Sequence, residues 1–379
     1  MDPGFGVYVH WPFCEAICPY CDFNVHSNTT IDEAAWRDAL INEIAHYAAE
    51  TRGRTVTSLY FGGGTPSLME PTTIGAIVET VQKQWSVAAN IEITLEVNPT
   101  SGEQNKLKDF QLAGINRVSI GIQSFDDHAL KFLGRTHTGA DARLVLETAT
   151  NIFPRSTFDL IYALPEQTVD AWGATLSDAL AIAQGHLSLY QLTIESGTPF
   201  SKQGQKTADH DIAADMFEVT QTILADAGMP AYEISNHAVP GDESRHNLTC
   251  WRGGDYLGVG PGAHGRLTLD GEAFGTHQIH NPGRWFEITQ NQGHGTAKRR
   301  PISAEDRAKE LVMMGLRLKE GIDQDRFQRV AGVALDTVLD DEGLNHLVDG
   351  GLVQFSDRRI FATASGQQRL NAVLAKLLN

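Results

Sequence analysis

The chain has 379 residues, 41% hydrophobic and 20% charged, which allows a sizeable core and excludes a disordered chain or a repeat array. Its 30 Lys+Arg stand against 47 Asp+Glu, a net charge of −17, so the overall field repels nucleic acid and anionic lipid. No apolar run approaches the ~20 residues that cross a bilayer, and the start, MDPGFGVYVHWPFC, lacks the basic and apolar regions of a leader; the expected compartment is the cytosol.

From residue 5 to about 195, short β-type runs alternate with amphipathic helical stretches. The runs are 6–10, 58–62, 91–97, 117–122, 157–164 and 187–194, and helical spacing falls between them at 32–50, 71–84, 101–113, 140–152 and 169–183. This alternation predicts an α/β fold with a parallel sheet, and six units suit a curved partial barrel better than a closed eight-stranded one. Ligand-binding groups in such designs collect at the C-terminal ends of the strands. Cys14, Gly62–Thr65, Glu96, Asn98 and Gln123 fall at such ends, whereas Asp159 lies early in its run and has to point inward.

From about 200 to 300 the regular alternation stops and Gly, His and Asn increase, which reads as an elaborated loop region. From 303 on, the order helix, two short strands, helix is similar to a small winged-helix module. Its ten Lys+Arg against twelve Asp+Glu favour a lid or scaffold over DNA reading. The expected units are residues 1–200, a barrel core; 201–302, completing the pocket; and 303–379, the C-terminal module.

Four cysteines in so long a chain make no disulfide framework, and Cys14, Cys18 and Cys21 form C-x3-C-x2-C directly after a strand. Three thiolates leave one position open on a four-iron cluster or on zinc. A cubane with one iron free of protein sulfur accepts the amine and carboxylate of S-adenosylmethionine, and electron transfer into the sulfonium then cleaves a C–S bond. The competing readings are structural zinc, with His10 or His26 as fourth ligand, and buried inert thiols. The glycines of GGGTP (62–66) let backbone approach a ligand closely, or make a tight turn. Glu96 can accept hydrogen bonds from ribose hydroxyls, or stand as an exposed strand-end acid.

The cysteine motif, with Tyr20 just before its last cysteine, resembles the radical SAM superfamily. More narrowly, HWPFC, CPYCDF, YFGGGTPSLM, EVNP, SIGIQSF, LGRTH, FDLIYALPEQT, HNLTCW and YLGVGPGAHG together resemble the oxygen-independent coproporphyrinogen III oxidase group, over nearly the whole chain. The fold this implies is α/β: a radical SAM partial (βα)6 barrel, an elaborated region, and a small α+β winged-helix-like C-terminal module. Two features resemble the haem-chaperone branch of the group rather than its decarboxylase branch. Only 13 residues precede Cys14, where the decarboxylase carries a long segment, and Phe23 stands where it has a further cysteine.

The resemblance implies a 4Fe-4S cluster on Cys14, Cys18 and Cys21. It implies S-adenosylmethionine contacts at Tyr8, Tyr20, Gly63, Gly64, Thr65, Glu96, Gln123, Arg135, Asp159 and His264. Core packing for Tyr8, an ion pair or cap for Gln123, Arg135 and Asp159, and a loop role for His264 are the structural alternatives. HNLTCW is similar to the HNxxYW motif of the chaperone branch and implies haem contacts at His246, Asn247, Cys250 and Trp251, with Cys250 replacing the tyrosine. The implied function is uptake of haem as cargo and its delivery to client haemoproteins such as respiratory enzymes, with transient membrane docking and a homodimer promoted by cluster assembly as further implications. Oxidative decarboxylation of coproporphyrinogen III, or another porphyrin modification, is the alternative activity.

Overall fold

The computed structural model describes residues 3–27 and 31–378. Strand β1 (Phe5–Trp11), buried on both faces, runs into β2 (Phe13–Cys14), which pairs with β3 (His26–Ser27) and so closes the base of the loop between them. The next strands are β4 (Thr55–Gly63), β5 (Ser86–Val97), β6 (Arg117–Gln123), β7 (Arg155–Tyr162) and β8 (His186–Gln191). With β1 these are the six strands the apolar runs predict. Helices Glu33–Glu50, Pro71–Gln84, Gly139–Ile152 and Val169–Leu180 match the expected crossovers, while the stretch at 101–113 splits into Ser101–Gln104 and Leu107–Leu112.

The region read as elaborated loop also carries strands. After β9 (Asn236–Ala238) come β10 (Asp255–Val259), β11 (His264–Leu269), β12 (Glu272–Gln278) and β13 (Thr296–Pro301). All join one 11-stranded sheet in the order β13-β12-β11-β10-β1-β4-β5-β6-β7-β8-β9. β10 pairs parallel with β1, so seven parallel strands run from β10 to β8, flanked by antiparallel β9 on one side and β11–β13 on the other.

The first helix fastens this extension. Its Glu43 is fully buried and accepts hydrogen bonds from Gly260 N (2.8 Å), Gly295 N (2.6 Å) and Trp285 Nε1 (3.2 Å), groups on either side of β11 and β12. Burial pushes its carboxyl up to about 7.

The C-terminal part has its own core, around Val312, Leu316, Phe327, Val353, Ile360 and Val373. Strands β14 (Ile322–Asp323), β15 (Val353–Ser356) and β16 (Arg359–Ala362) pair in the order β14-β16-β15, with helices Asp341–Asp349 and Leu370–Leu377 in the expected order around the hairpin. Ion pairs fasten it to the body: Arg252 binds Glu320 with two bonds of 2.8 and 3.0 Å, and Arg317 reaches Glu233 at 3.0 Å. Among the described residues no helix is long and apolar enough to cross a membrane.

Candidate functional site

Side chains two apart on a strand share a face, so the parallel register fixes what lines the lumen of the partial barrel. Gly6, Ser58 and Glu92 align at its N-terminal end; Tyr8, Tyr60, Thr94, Arg117 and Arg155 form the next row; Glu96, Ser119 and Thr157 follow. These three rows are polar apart from Gly6 and the tyrosine rings. Its C-terminal end opens as a cavity of about 410 Å³.

Cys14, Cys18 and Cys21 all line this cavity, each half-buried and unpaired. The loop that carries them is held at its base by β2 and β3, and internally by Cys21 N donating to Cys18 O at 3.1 Å. Two sulfurs receive hydrogen bonds from the neighbouring strand ends. Thr65 Oγ1 donates to Cys14 Sγ at 3.5 Å and Arg135 Nη1 to Cys18 Sγ at 3.3 Å. Asn98, singled out at a strand end but given no contact there, links the two donors: its Nδ2 donates to Thr65 Oγ1 (2.9 Å) and its Oδ1 accepts from Arg135 Nη2 (2.7 Å). Its signal was its place at the end of β5.

Burial pushes Cys14 up and Cys21 up to about 11, so both are thiols at neutral pH unless a cation draws the proton off. Among the described residues no three His, Cys, Asp or Glu side chains converge on a point for a single metal ion. Three thiols ringing a roomy cavity, with an arginine and a hydroxyl directed at two of the sulfurs, have the donor chemistry of a sulfide-bridged cluster that is anchored at three corners.

The glycine loop after β4 packs against the cysteine loop. Gly64 N donates to Trp11 O (2.7 Å) and Thr65 N to Phe13 O (2.9 Å). A Cβ at Gly64 would lie 2.7 Å from Phe13 O and 3.0 Å from Cys14 Sγ, and Gly63, at φ +113°, would meet the His10 ring at 2.6 Å. Glu96 accepts from Tyr60 Oη (2.9 Å) and Gly63 N (3.2 Å), and burial, with the Asp159 carboxyl nearby, pushes it up to about 7. Asp159 is pushed up to about 6 by burial, despite a bond from Ser119 Oγ at 3.4 Å. Gln123 ends β6 at φ +66° and lines the cavity. Tyr20 lines it too and packs on Phe200, 6.3 Å between ring centroids. Phe23 and Ile17, 66% and 45% exposed, form an apolar mouth.

Tyr8 and His264 do not line this cavity. Tyr8 is a lumen residue, bonded to His10 Nδ1 at 3.1 Å and packed beside Tyr60 and His246, whose own rings stack 4.9 Å apart. His264 opens β11 on the protein surface, its ring 4.0 Å from that of His277; burial and the neighbouring histidines and Arg266 bring it down to about 4.

The helix Arg245–Trp251, which carries HNLTCW, plugs the opposite end of the lumen. Ser244 caps it, and Glu92 receives the N–H groups of Arg245 and His246, both at 3.2 Å. His246 is only 8% exposed. Its Nδ1 faces Ser58 Oγ at 3.3 Å and its Nε2 faces Cys250 Sγ at 4.0 Å, while burial pushes the imidazole down to about 4 and the Cys250 thiol up to about 12. Asn247 donates to Tyr232 Oη (3.4 Å), and Trp251 lies beneath Arg317, 4.5 Å from its guanidinium carbon. These four residues come together on one short helix, with His246 buried and Asn247, Cys250 and Trp251 half-buried.

Comparison with known proteins matches the radical SAM superfamily over residues 8–179 and the HemN C-terminal domain over residues 302–369. "Radical S-adenosyl methionine domain-containing protein 1, mitochondrial" of Bos taurus is 39% identical over 98% of this chain and 87% of its own length. "Heme chaperone HemW" of Escherichia coli is 37% identical over 89% of this chain and 88% of its own, and that of Bacillus subtilis 31% over 98% of each. Among solved structures, coproporphyrinogen III oxidase (HemN) of Escherichia coli superposes with a TM-score of 0.81 at 23% identity, over 99% of this chain and 90% of that one, a likeness of fold. With relatives this similar over most of both chains, the protein belongs to the HemW family of the radical SAM superfamily.

Proposed function

We propose that Cys14, Cys18 and Cys21 hold a four-iron, four-sulfur cluster with S-adenosylmethionine beside it, and that the protein takes up haem and passes it to client haemoproteins such as respiratory enzymes. The observation that carries the cofactor reading is the convergence of the three thiols with Gly63, Gly64, Thr65, Glu96, Gln123, Arg135 and Asp159 on one cavity. When bound, the cluster supplies the electron that cleaves the sulfonium. The protein's part is to hold and orient. Arg135 and Thr65 stabilise thiolate charge, and the glycine loop brings backbone close to the ligand. Glu96 and Asp159, half-buried carboxyls on the cavity wall without a directly paired cation, complement a positively charged sulfonium compound and accept from its hydroxyls.

The haem half rests on the names of the relatives and on Phe23, which sets an aromatic side chain, not a further thiol, on the cavity wall. Anaerobic reconstitution with iron and sulfide tests the cluster. We expect brown protein whose EPR signal changes on adding S-adenosylmethionine, and loss of cluster iron in Cys14→Ala, Cys18→Ala or Cys21→Ala. Material that keeps one divalent ion and no sulfide overturns the cluster. Transfer of haem to an apo-haemoprotein tests the second half; a vinyl-bearing product from coproporphyrinogen III would replace it with the decarboxylase reading.

A further inference from the structure

The exposed sheet extension carries a group of side chains that the cavity does not use. His264 of β11 lies directly opposite His277 of β12, which lies opposite Lys298 of β13; two residues along, Arg266, Gly275 and Arg300 form a second row on the same face. The two imidazoles are 4.0 Å apart between centroids, and His280, just past β12, sets its ring edge-on to His264 at 6.3 Å. His264, His280, Lys298 and Arg300 are exposed and His277 is half-buried. Among the described residues no hydrogen bond or ion pair engages the three rings, the Lys298 ammonium or the Arg300 guanidinium, whereas Arg266 is held by Glu310 at 2.7 Å.

Lysine and arginine on an edge strand are expected as guards against strand pairing. That does not account for imidazoles with free nitrogens beside them, on a chain whose net charge is −17. Such a face suits a transition-metal centre that carries anionic arms: an imidazole nitrogen for the metal and two cations for carboxylates. HNLTCW offers neither, since its imidazole is enclosed between Ser58 and Cys250.

We propose that the exposed face of β11–β13 is the docking surface for ferric haem, with His264 or His277 as the axial nitrogen and Lys298 and Arg300 meeting the propionates. This rests on the haem-chaperone reading above. Two rings in contact on one face cannot stand on opposite sides of a macrocycle, so one imidazole ligates and the far side of the iron stays open. A client's own ligand can approach from that side, which suits a carrier that must release its cargo.

The test is titration of ferric haem into the full-length protein, followed by the Soret band and EPR. Wild type takes up one equivalent with a single-imidazole spectrum. His264→Ala with His277→Ala loses that spectrum and weakens binding at least tenfold. Lys298→Glu with Arg300→Glu, on a fully exposed edge where folding is not at stake, keeps the spectrum and weakens binding several-fold, more at low salt. Haem uptake that all four substitutions leave unchanged, or that only His246→Ala abolishes, overturns the docking surface alone. Wild-type protein that takes up no haem removes the chaperone reading and this inference together.

Discussion

Glu92 and Glu96 stand four residues apart on the same lumen-facing side of β5, yet their carboxyls are driven in opposite directions. Burial raises Glu92, but Arg117, Arg155 and the N–H groups of Arg245 and His246 outweigh it and bring the carboxyl below the usual range. Glu96 has a tyrosine hydroxyl and one backbone N–H, and burial wins, taking it up to about 7. The difference separates the two ends of one lumen. At the N-terminal end every charge is answered within the chain, which shuts the lumen with the HNLTCW helix. At the C-terminal end Glu96 and Asp159 are left without a directly paired cation, beside three free thiols, the arrangement that the proposed cationic ligand and cluster call for.

Removing Glu92 is the harshest way to break this contrast. Its Oε2 is 2.8 Å from Arg155 Nη1 and 3.9 Å from Arg117 Nε, and Arg117 is 3% exposed. Glu92→Ala leaves Arg117 as an unanswered buried charge and uncaps the plug, so a loss of about 3–5 kcal/mol is expected in urea unfolding. The pH dependence follows from the lowered carboxyl. Its contribution is complete above the unfolded-state value and is lost as pH falls through the folded one, so wild type weakens in acid and Glu92→Ala, already weakened, loses less. An acid limb unchanged by the substitution would mean that the plug is not held this way.

The six strands and their crossovers were legible because runs such as VYV and LYF join β-forming residues with an apolar outer face, Val7, Val9, Leu59 and Phe61, that helices cover, the tyrosines turning to the lumen. β10–β13 were not read, since GVGPGAHG looks like loop. Yet Gly258 is a strand residue there because a Cβ would come within 2.1 Å of His264 O, and Asp270-Gly271, both at positive φ, is a two-residue hairpin turn whose sequence signal was present. That the cysteines, the glycine loop and the strand-end acids share one cavity was legible because the C-terminal ends of parallel strands are a place that spacing can find. What a side chain meets across the lumen was not. Glu92 finds Arg155 from 63 residues away, and His246 is enclosed by Ser58 from 188 residues away, separations that carry no local pattern.

Glu96 gives the mirror image of the acid limb, with a somewhat smaller effect. An acid raised on folding binds its proton more tightly in the native state, so its contribution is present at low pH and is lost as pH rises from about 4.5 toward 7. Apo-protein is therefore expected to be less stable at pH 8 than at pH 5 by roughly 2–3 kcal/mol from this group, a difference that Glu96→Gln abolishes. The remaining slope belongs to Glu43, Glu103 and Asp159, raised in the same way, set against histidines such as His246 that burial lowers. Urea unfolding of both proteins at the two pH values isolates the Glu96 part as the difference between their slopes, and identical slopes would mean that the C-terminal end is as well compensated as the other.

The smallest effect separates glycines that the cysteine loop requires from one that it does not. Gly64→Ala puts a methyl group 2.7 Å from Phe13 O, which is backbone and cannot swing away, and 3.0 Å from Cys14 Sγ. The cysteine loop has to shift, so the substitution is expected to lower stability by about 1–2 kcal/mol and to slow cluster reconstitution severalfold. Gly75, in the helix Pro71–Gln84, has nothing nearer than Ala113 Cβ at 3.6 Å. Gly75→Ala is therefore expected to gain about 0.5–1 kcal/mol from helix propensity and to leave iron loading unchanged. Equal iron loading in the two variants would mean that the glycine loop is only a turn, and that the fit between β4 and the thiols contributes nothing to the site.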